Sequence, residues 1–423
     1  MAFVEQVRAI EVLDSRGRPT VKASVRLAGG AVGAASVPSG ASTGVAEALE
    51  LRDGDPNRFA GLGCRRAIAN VNTEIAGALV GRAVDGQEQL DRTMLDLDGT
   101  PNKRRLGANA ILAVSIAFAR ACAAASNKPL YEHFARLAGR KADSLPRLTV
   151  NLFSGGKHAG GQVEFQDILI VPAAARSIDE GLAVIDAVYR SAEKLIARKY
   201  DMRSLKADEG GLAPPFTSVT DMLADAREAI ESAGYQLGRD VAIAVDVASS
   251  HFYANGRYHL GGQSLASPQM IDRLAALAEE FAIVSLEDGL AEEDWTHWPA
   301  LRQRLAGRAL TLGDDFLCTS PDRIRRAIET RSADALLLKV NQIGTLTEAA
   351  EALKLARSAG WRVTVSARSG ETEDDWLADL AVGWGGDQIK VGSVRQSERL
   401  AKYNRLLEIE GQTQFEVIPW PNP

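Results

Sequence analysis

From about residue 147 onward the chain keeps one rhythm, short apolar runs separated by amphipathic stretches of helical period, and nothing else limits its fold as tightly. The runs are Val241-Ala-Ile-Ala-Val245, Ile283-Val-Ser-Leu286, Leu310-Thr-Leu312, Ala335-Leu-Leu-Leu338, Val363-Thr-Val365 and Gln388-Ile389. Between them, Ser267-Pro268 and Ser320-Pro321 read as N-cap plus first-turn proline pairs. Thr345-Leu-Thr-Glu348 reads as a capping box, followed by Leu346, Ala350, Leu353 and Ala356 on one face and Gly360 at the end. Strand and helix in alternation build a parallel sheet, because each helix carries the chain back over the sheet to start the next strand. So many units in succession favour a closed (β/α) barrel over an open sheet.

Charge follows each run. Asp246 comes after the first, Glu287 and Asp288 after the second, Asp314 and Asp315 after the third. Lys339 follows the fourth, Arg368 lies just past the fifth and Lys390 follows the sixth. In a (β/α) barrel the carboxyl ends of the strands meet on one face, where catalytic groups gather, so these acids and cations are expected to share a pocket. Hard oxygen ligands from separate strands suit Mg²⁺, which takes a few carboxylates and completes its shell with water and substrate oxygens. The plainer reading of any single acid is a rim residue paired with a neighbouring Lys or Arg. Acids and lysines all in register with strand ends point instead to a metal site. Removing a proton from carbon beside a carboxylate makes a dianion; a divalent cation offsets that charge, and a lysine kept neutral by nearby positive charge accepts the proton. Lys339 is the candidate base, with a structural ion pair to Asp314 or Asp315 as its plainer reading.

The N-terminal part reads as mixed. Residues 3–13 and 19–28 alternate as two strands around the turn Asp14-Ser-Arg-Gly17. A Gly/Ser-rich loop follows at Pro38-Ser-Gly-Ala-Ser-Thr-Gly44, and 109–125 is Ala-rich and helical. At 423 residues the chain is long enough for a barrel plus a second domain. Its 49 basic and 55 acidic residues leave a net charge of −6, which argues against coating nucleic acid or an anionic membrane; neither is expected as a partner. Three cysteines without CxxC spacing suit neither a disulfide framework nor a zinc site and fit a reducing cytoplasm. The N-terminus lacks an apolar signal core, and the uncharged stretch from Leu106 to Ala119 falls short of a membrane span. A cytoplasmic protein is expected.

Several longer blocks make the chain resemble enolase over essentially residues 1–411. They are Asp14-Ser-Arg-Gly17, Ser39-Gly-Ala-Ser-Thr-Gly44, Glu47-Ala-Leu-Glu-Leu-Arg-Asp-Gly-Asp55 and Gly107-Ala-Asn-Ala-Ile-Leu-Ala-Val-Ser115 in the first part. In the second they are Asp208-Glu-Gly-Gly-Leu-Ala-Pro214, Ser285-Leu-Glu-Asp-Gly289, Leu338-Lys-Val-Asn-Gln-Ile-Gly344, Arg368-Ser-Gly-Glu-Thr-Glu-Asp374 and Ser397-Glu-Arg-Leu-Ala-Lys402. The resemblance implies an α/β barrel of the modified TIM type, ββαα(βα)6, over 140–423, with an N-terminal α+β cap domain over 1–135. It implies an Mg²⁺-dependent carbon–oxygen lyase or enolate-forming synthase for a small phosphorylated carboxylic acid of the 2-phosphoglycerate or phosphoenolpyruvate type. Asp246, Glu287 and Asp314 would hold the tighter Mg²⁺, and Ser42 would join a second ion with the substrate. Lys339 would be the base and Glu209 the acid that helps hydroxide leave, in a catalytic set that also holds His158 and Asp167. Lys390 would bind the substrate carboxylate, Arg368 and Ser369 its phosphate, with His158 at the same site. A homodimer or higher homo-oligomer is implied as well.

The departures bear on the substrate. Enolases carry His-Arg-Ser-Gly-Glu-Thr-Glu-Asp; here the histidine position is Ala367. In His158-Ala-Gly-Gly-Gln-Val-Glu-Phe-Gln-Asp167 the last residue stands where enolases have Glu, one CH₂ longer, and catalysis is sensitive to shifts of about 1 Å. Ser154 replaces Asn, Ala207 Gly, His251 Glu and Gln396 Arg. Three readings follow. One is an ordinary glycolytic phosphopyruvate hydratase that has drifted; another is an inactive enolase-like scaffold or binding protein, against which the intact Asp246, Glu287, Asp314, Lys339 and Glu209 speak. The third is a diverged paralogue of phosphonate or phosphinate antibiotic biosynthesis, similar to carboxyphosphonoenolpyruvate synthase and using a phosphonate co-substrate. Because pocket positions changed while the metal ligands and Lys339 stayed, the sequence favours the paralogue.

Overall fold

In the computed structural model, which describes residues 1–40 and 44–420, strand β1 (Ala2–Leu13) turns back into β2 (Pro19–Leu27). Asp14 sets the turn: its Oδ1 accepts the amides of Arg16 at 2.8 Å and Arg18 at 2.9 Å. Strand β3 (Val32–Ser36) and a short strand at 83–84 complete an antiparallel sheet in the order β3-β2-β1-(83–84). Helix α1 (Ala108–Ala125) covers the sheet, packed on β2 and β3. It is apolar and long enough to cross a bilayer but is mostly buried inside the protein. The fit is close enough to require glycine: a Cβ on Gly33 would lie 2.1 Å from the Ala117 carbonyl oxygen. The strands expected at 3–13 and 19–28 and the helix expected at 109–125 are present, within one residue at each end.

Eight strands then close a barrel: β4 (Arg147–Ser154), β5 (Asp167–Val171), β6 (Ala242–Asp246), β7 (Ile283–Glu287), β8 (Leu310–Gly313), β9 (Ala335–Leu338), β10 (Arg362–Ser366) and β11 (Gln388–Lys390). Their order around the barrel follows the chain, with β11 pairing β4 to close it. Helices α2 (Ile178–Tyr200) and α3 (Val219–Ser232) follow β5, and each later strand is followed by a helix, which gives the expected ββαα(βα)6 order. The apolar runs read from the sequence are all barrel strands. Each is buried almost throughout, which is why it reads as a continuous apolar run rather than an alternation.

Strand β5 runs antiparallel to both neighbours. The other strands bring their last residues to the catalytic rim, whereas β5 brings its first, and Asp167 stands in register with Asp246. One cap reading is corrected. The helix Ser267–Glu280 is capped by Ala266, and the Ser267 hydroxyl turns to Asp294 Oδ2 at 2.7 Å. Ser320 and Thr345 do cap, accepting the amides of Arg323 and Glu348. The Glu348 carboxylate, which a full capping box would send to the Thr345 amide, takes the Thr345 hydroxyl at 2.6 Å and the Lys103 ammonium at 2.9 Å.

At the end of the barrel away from the rim, buried Arg147 donates to the carbonyls of Pro172 at 2.8 Å and Ile418 at 2.9 Å. Trp420, 5% exposed, packs there on Leu169, Val171, Ala242 and Ala244. Trp420→Ala should cost about 3–5 kcal/mol, read as a lower denaturant midpoint. Turnover per folded molecule should not change, because the rim lies at the other end.

Candidate active site

The charged residues expected at the rim converge there. Lys390, the last residue of β11, donates to Asp246 Oδ2 at 3.0 Å and to the two Glu287 oxygens at 2.7 and 2.8 Å. Lys339, just after β9, donates to Asp314 Oδ2 at 2.5 Å. Gln342 holds the other Asp314 oxygen at 2.8 Å and is itself held by the Thr319 hydroxyl at 2.8 Å. The ion pair that was the plainer reading of Lys339 is thus present, and it also aims the amine at the carboxylates. Asp288, from a residue with φ 44°, accepts the amides of Asp314 and Asp315, each at 2.8 Å. It pins the turn after β8.

Close-packed buried acids resist ionisation. Burial, then Asp246, pushes the Glu287 carboxyl well above its ordinary range. Burial and Asp314 do the same to Asp288 and lift Asp315 to about 7. Among the protein's own groups, burial pulls Lys339 down and Arg368 adds to that, but Asp314 together with Glu287 outweighs them and its pKa is raised.

A second group lies beside the first. His158 Nδ1 is 2.8 Å from Asp167 Oδ2 and its Nε2 is 3.8 Å from Glu209 Oε1. The Ser154 hydroxyl donates to Asp167 Oδ1 at 2.5 Å, and Asn151 Nδ2 to Glu209 Oε2 at 3.1 Å. Burial alone would lower the His158 pKa; Asp167 and Glu209 outweigh it and raise it to about 9. Burial would raise Glu209, but His158, Arg399, Lys390 and Lys339 together hold it at about 2. These neighbours favour the proton of this pair on the imidazole over Glu209, the acid implied by the resemblance.

On the third side, Arg368 and Ser369 follow β10. Arg368 donates to Asn341 Oδ1 at 3.0 Å and pairs with Glu47 of the cap, while Arg16 of the cap donates to the Ser369 hydroxyl at 3.3 Å. Helix α4 (Ser397–Gln412) grips the same loop from behind. Its fully buried Arg399 donates to the carbonyls of Arg368 at 2.7 Å and Ser369 at 2.6 Å, and Lys402 to that of Thr372 at 2.5 Å. Ala367 and His251 both line the pocket. Ser42 lies outside the described residues. The sequence reading gave no role to Asn341, Gln342, Glu47, Arg16, Arg399 or Asn151. All but Asn151 fall inside the blocks that carry the resemblance, so the signal was there without the register that turns a residue into a contact.

The closest groupings of candidate ligand atoms are Asp288 with Asp314 and Asp315, and His158 with Asp167 and Glu209. Asp288 accepts two amides and His158 bonds Asp167, while the oxygens of Asp246, Glu287 and Asp314 are bonded by the side chains of Lys390, Lys339 and Gln342. Asp246, Glu287 and Asp314 present oxygens from three adjacent strand ends, and Asp246 and Asp314 both raise the pKa of Glu287, as mutually close anions do. Hard oxygen donors carrying that much crowded negative charge fit Mg²⁺. Residues 4–134 match the family described as enolase, N-terminal domain, and residues 142–418 match enolase, C-terminal TIM barrel domain.

With no metal added, the His158 ring should titrate by NMR near pH 9, and Asp167→Asn should bring it down toward or below its ordinary value of about 6.5. The folded pKa lies above the unfolded one. The pair's contribution to stability is therefore complete below about pH 6.5 and lost as the pH rises through about 9, a slope that Asp167→Asn should flatten.

Proposed function

The chain belongs to the enolase family, and on that premise we propose that it removes the proton α to the carboxylate of a 2-phosphorylated three-carbon acid, with Lys339 as the base. The observation that carries this reading is the Lys339 amine, 2.5 Å from Asp314, on the face where Lys390 joins Asp246 and Glu287. Asp246, Glu287 and Asp314 would hold Mg²⁺, which when bound supplies positive charge against the second negative charge on the substrate carboxylate. Lys390 orients that carboxylate, and Arg368 with Ser369 binds the phosphate. His158 is protonated beside ionised Glu209 and delivers a proton to oxygen leaving the neighbouring carbon, so that water departs as the C–O bond breaks and the double bond forms. Before each turnover Lys339 has to be unprotonated and His158 protonated.

Four of the departures from the enolase pattern lie in the pocket lining or bond to it. Ser154 and Asp167, two of them, bond each other at 2.5 Å, and Ala367 and His251 share the lining with Arg368 and Lys339. Changes that fit one another favour reshaping over drift. The finer reading is a diverged paralogue of the phosphonate- and phosphinate-pathway type, in which the enol intermediate meets a phosphonoformyl unit and the small Ala367 leaves room beside the phosphate. Glycolytic dehydration is the alternative.

Lys339→Ala should lower turnover by about 10²–10⁴-fold with an unchanged circular dichroism spectrum, and chelation of divalent metal should abolish activity. Undiminished turnover in the variant would overturn the assignment of the base. Rates are then compared on 2-phosphoglycerate alone and on 2-phosphoglycerate with a phosphonoformyl donor. Ordinary enolase rates on the first substrate would remove the motive for the paralogue.

A further inference from the structure

Arg368 reaches the phosphate side of the pocket already engaged. Glu47 of the cap meets it in a two-pronged pair, Nη1 to Oε2 at 3.0 Å and Nη2 to Oε1 at 3.1 Å. Both residues are buried, Glu47 at 9% and Arg368 at 4% exposure. Glu47 is not free to swing away. Its Oε1 also accepts the Gly44 amide at 3.1 Å, and the next residue, Ala48, donates its amide to the carbonyl of Gln342 at 2.8 Å. Docking of the cap on the barrel does not depend on this pair. The Ser15 amide reaches the Glu371 carbonyl at 2.7 Å, Ser39 and Gly370 exchange two backbone bonds at 2.8 and 2.9 Å, Lys103 pairs with Glu348, and Arg120 with Asp374.

A bidentate carboxylate satisfies much of a guanidinium's charge and fixes its plane. A phosphate arriving at Arg368 therefore meets a cation shared with a resident anion, and the two anions repel. We propose that Glu47 sets the anion affinity of the pocket's phosphate side, acting as a built-in counter-anion that holds the Arg368 guanidinium in place while keeping its grip on phosphoryl groups weak enough for release. Glu47 is a positioning residue in this scheme, acting through Arg368. The inference rests on the reading of Arg368 as a phosphate-binding residue.

Glu47→Gln removes the charge and keeps the shape. Inorganic phosphate, titrated calorimetrically into the Mg²⁺-loaded protein, should bind about tenfold more tightly to this variant than to the wild type. KM for the phosphorylated substrate should fall while kcat does not rise, as expected when ground-state binding is strengthened. Glu47→Asp draws the carboxylate back without removing it and should give an intermediate gain in phosphate affinity, which carries the test alone if Glu47→Gln does not fold. A pair that merely docks the cap would leave phosphate affinity unchanged or weakened in both variants, and that result would overturn the proposal. Arg368→Met is the control: if it binds phosphate as the wild type does, the reading of Arg368 itself has failed and the proposal falls with it.

Discussion

Two ammonium groups, Lys390 buried and Lys339 partly so, against a ring of buried carboxylates are the constraint on which the rim depends. Lys390 between Asp246 and Glu287, and Lys339 on Asp314, let strand ends that carry like charges close into one barrel mouth. Each contact near 3 Å supplies about 5 kcal/mol of attraction at an effective dielectric constant near 20, while taking each ion out of water costs several kcal/mol. These pairs roughly break even. The barrel's stability comes from its apolar walls, where Val245, Leu286, Leu338 and Val365 are fully or almost fully buried, and the charged mouth is tolerated rather than stabilising. A site kept at no profit in stability is a site kept for its chemistry.

The same reasoning extends to the loop 367–372, which neither domain holds alone. Arg399 and Lys402 of α4 donate to its carbonyls from the barrel side, and Arg16 reaches the Ser369 hydroxyl and Ser39 from the cap side. Gly370 lies where they meet; a Cβ there would stand 2.3 Å from both Asp14 Oδ2 and Arg16 Nη2. The cap is thus part of the pocket wall, and among the described residues its Glu47 pairs with the Arg368 cation.

Much of this was legible from the chain. Strands buried on both faces read as apolar runs, their charged ends fell in register, and the barrel followed. Other features have no signature of that kind. Asp167-Ile-Leu-Ile-Val171 reads as a strand in either direction, so its reversal, which alone puts Asp167 at the rim, appears only in the pairing. The small hairpin sheet formed by Tyr253–Ala254, Arg257–Leu260 and Gln263–Leu265 is too short to show a period. Ser267 looked like a cap because a proline follows it, but Asp294, distant in sequence, took its hydroxyl. Which charge lies nearest Lys339 is likewise a tertiary fact: Asp314, 25 residues earlier in the chain, bonds its amine.

The placement of these charges bears on how one pocket would hold the proposed acid and base. Lys339 and His158 both have raised pKa values, yet in the proposed reaction only one of them would have to keep its proton. The groups that raise Lys339 are first Asp314 and then Glu287, both assigned to the metal; those that raise His158 are first Asp167 and Glu209, which are not. Were Asp314 and Glu287 to hold a divalent cation, their charge would no longer favour the proton on the amine, while burial and Arg368 oppose it. The imidazole keeps its own pair of carboxylates and its proton. Dividing the carboxylates into two sets, one on strands β7 and β8 and one gathered around the reversed start of β5, separates the two functions within a single barrel mouth.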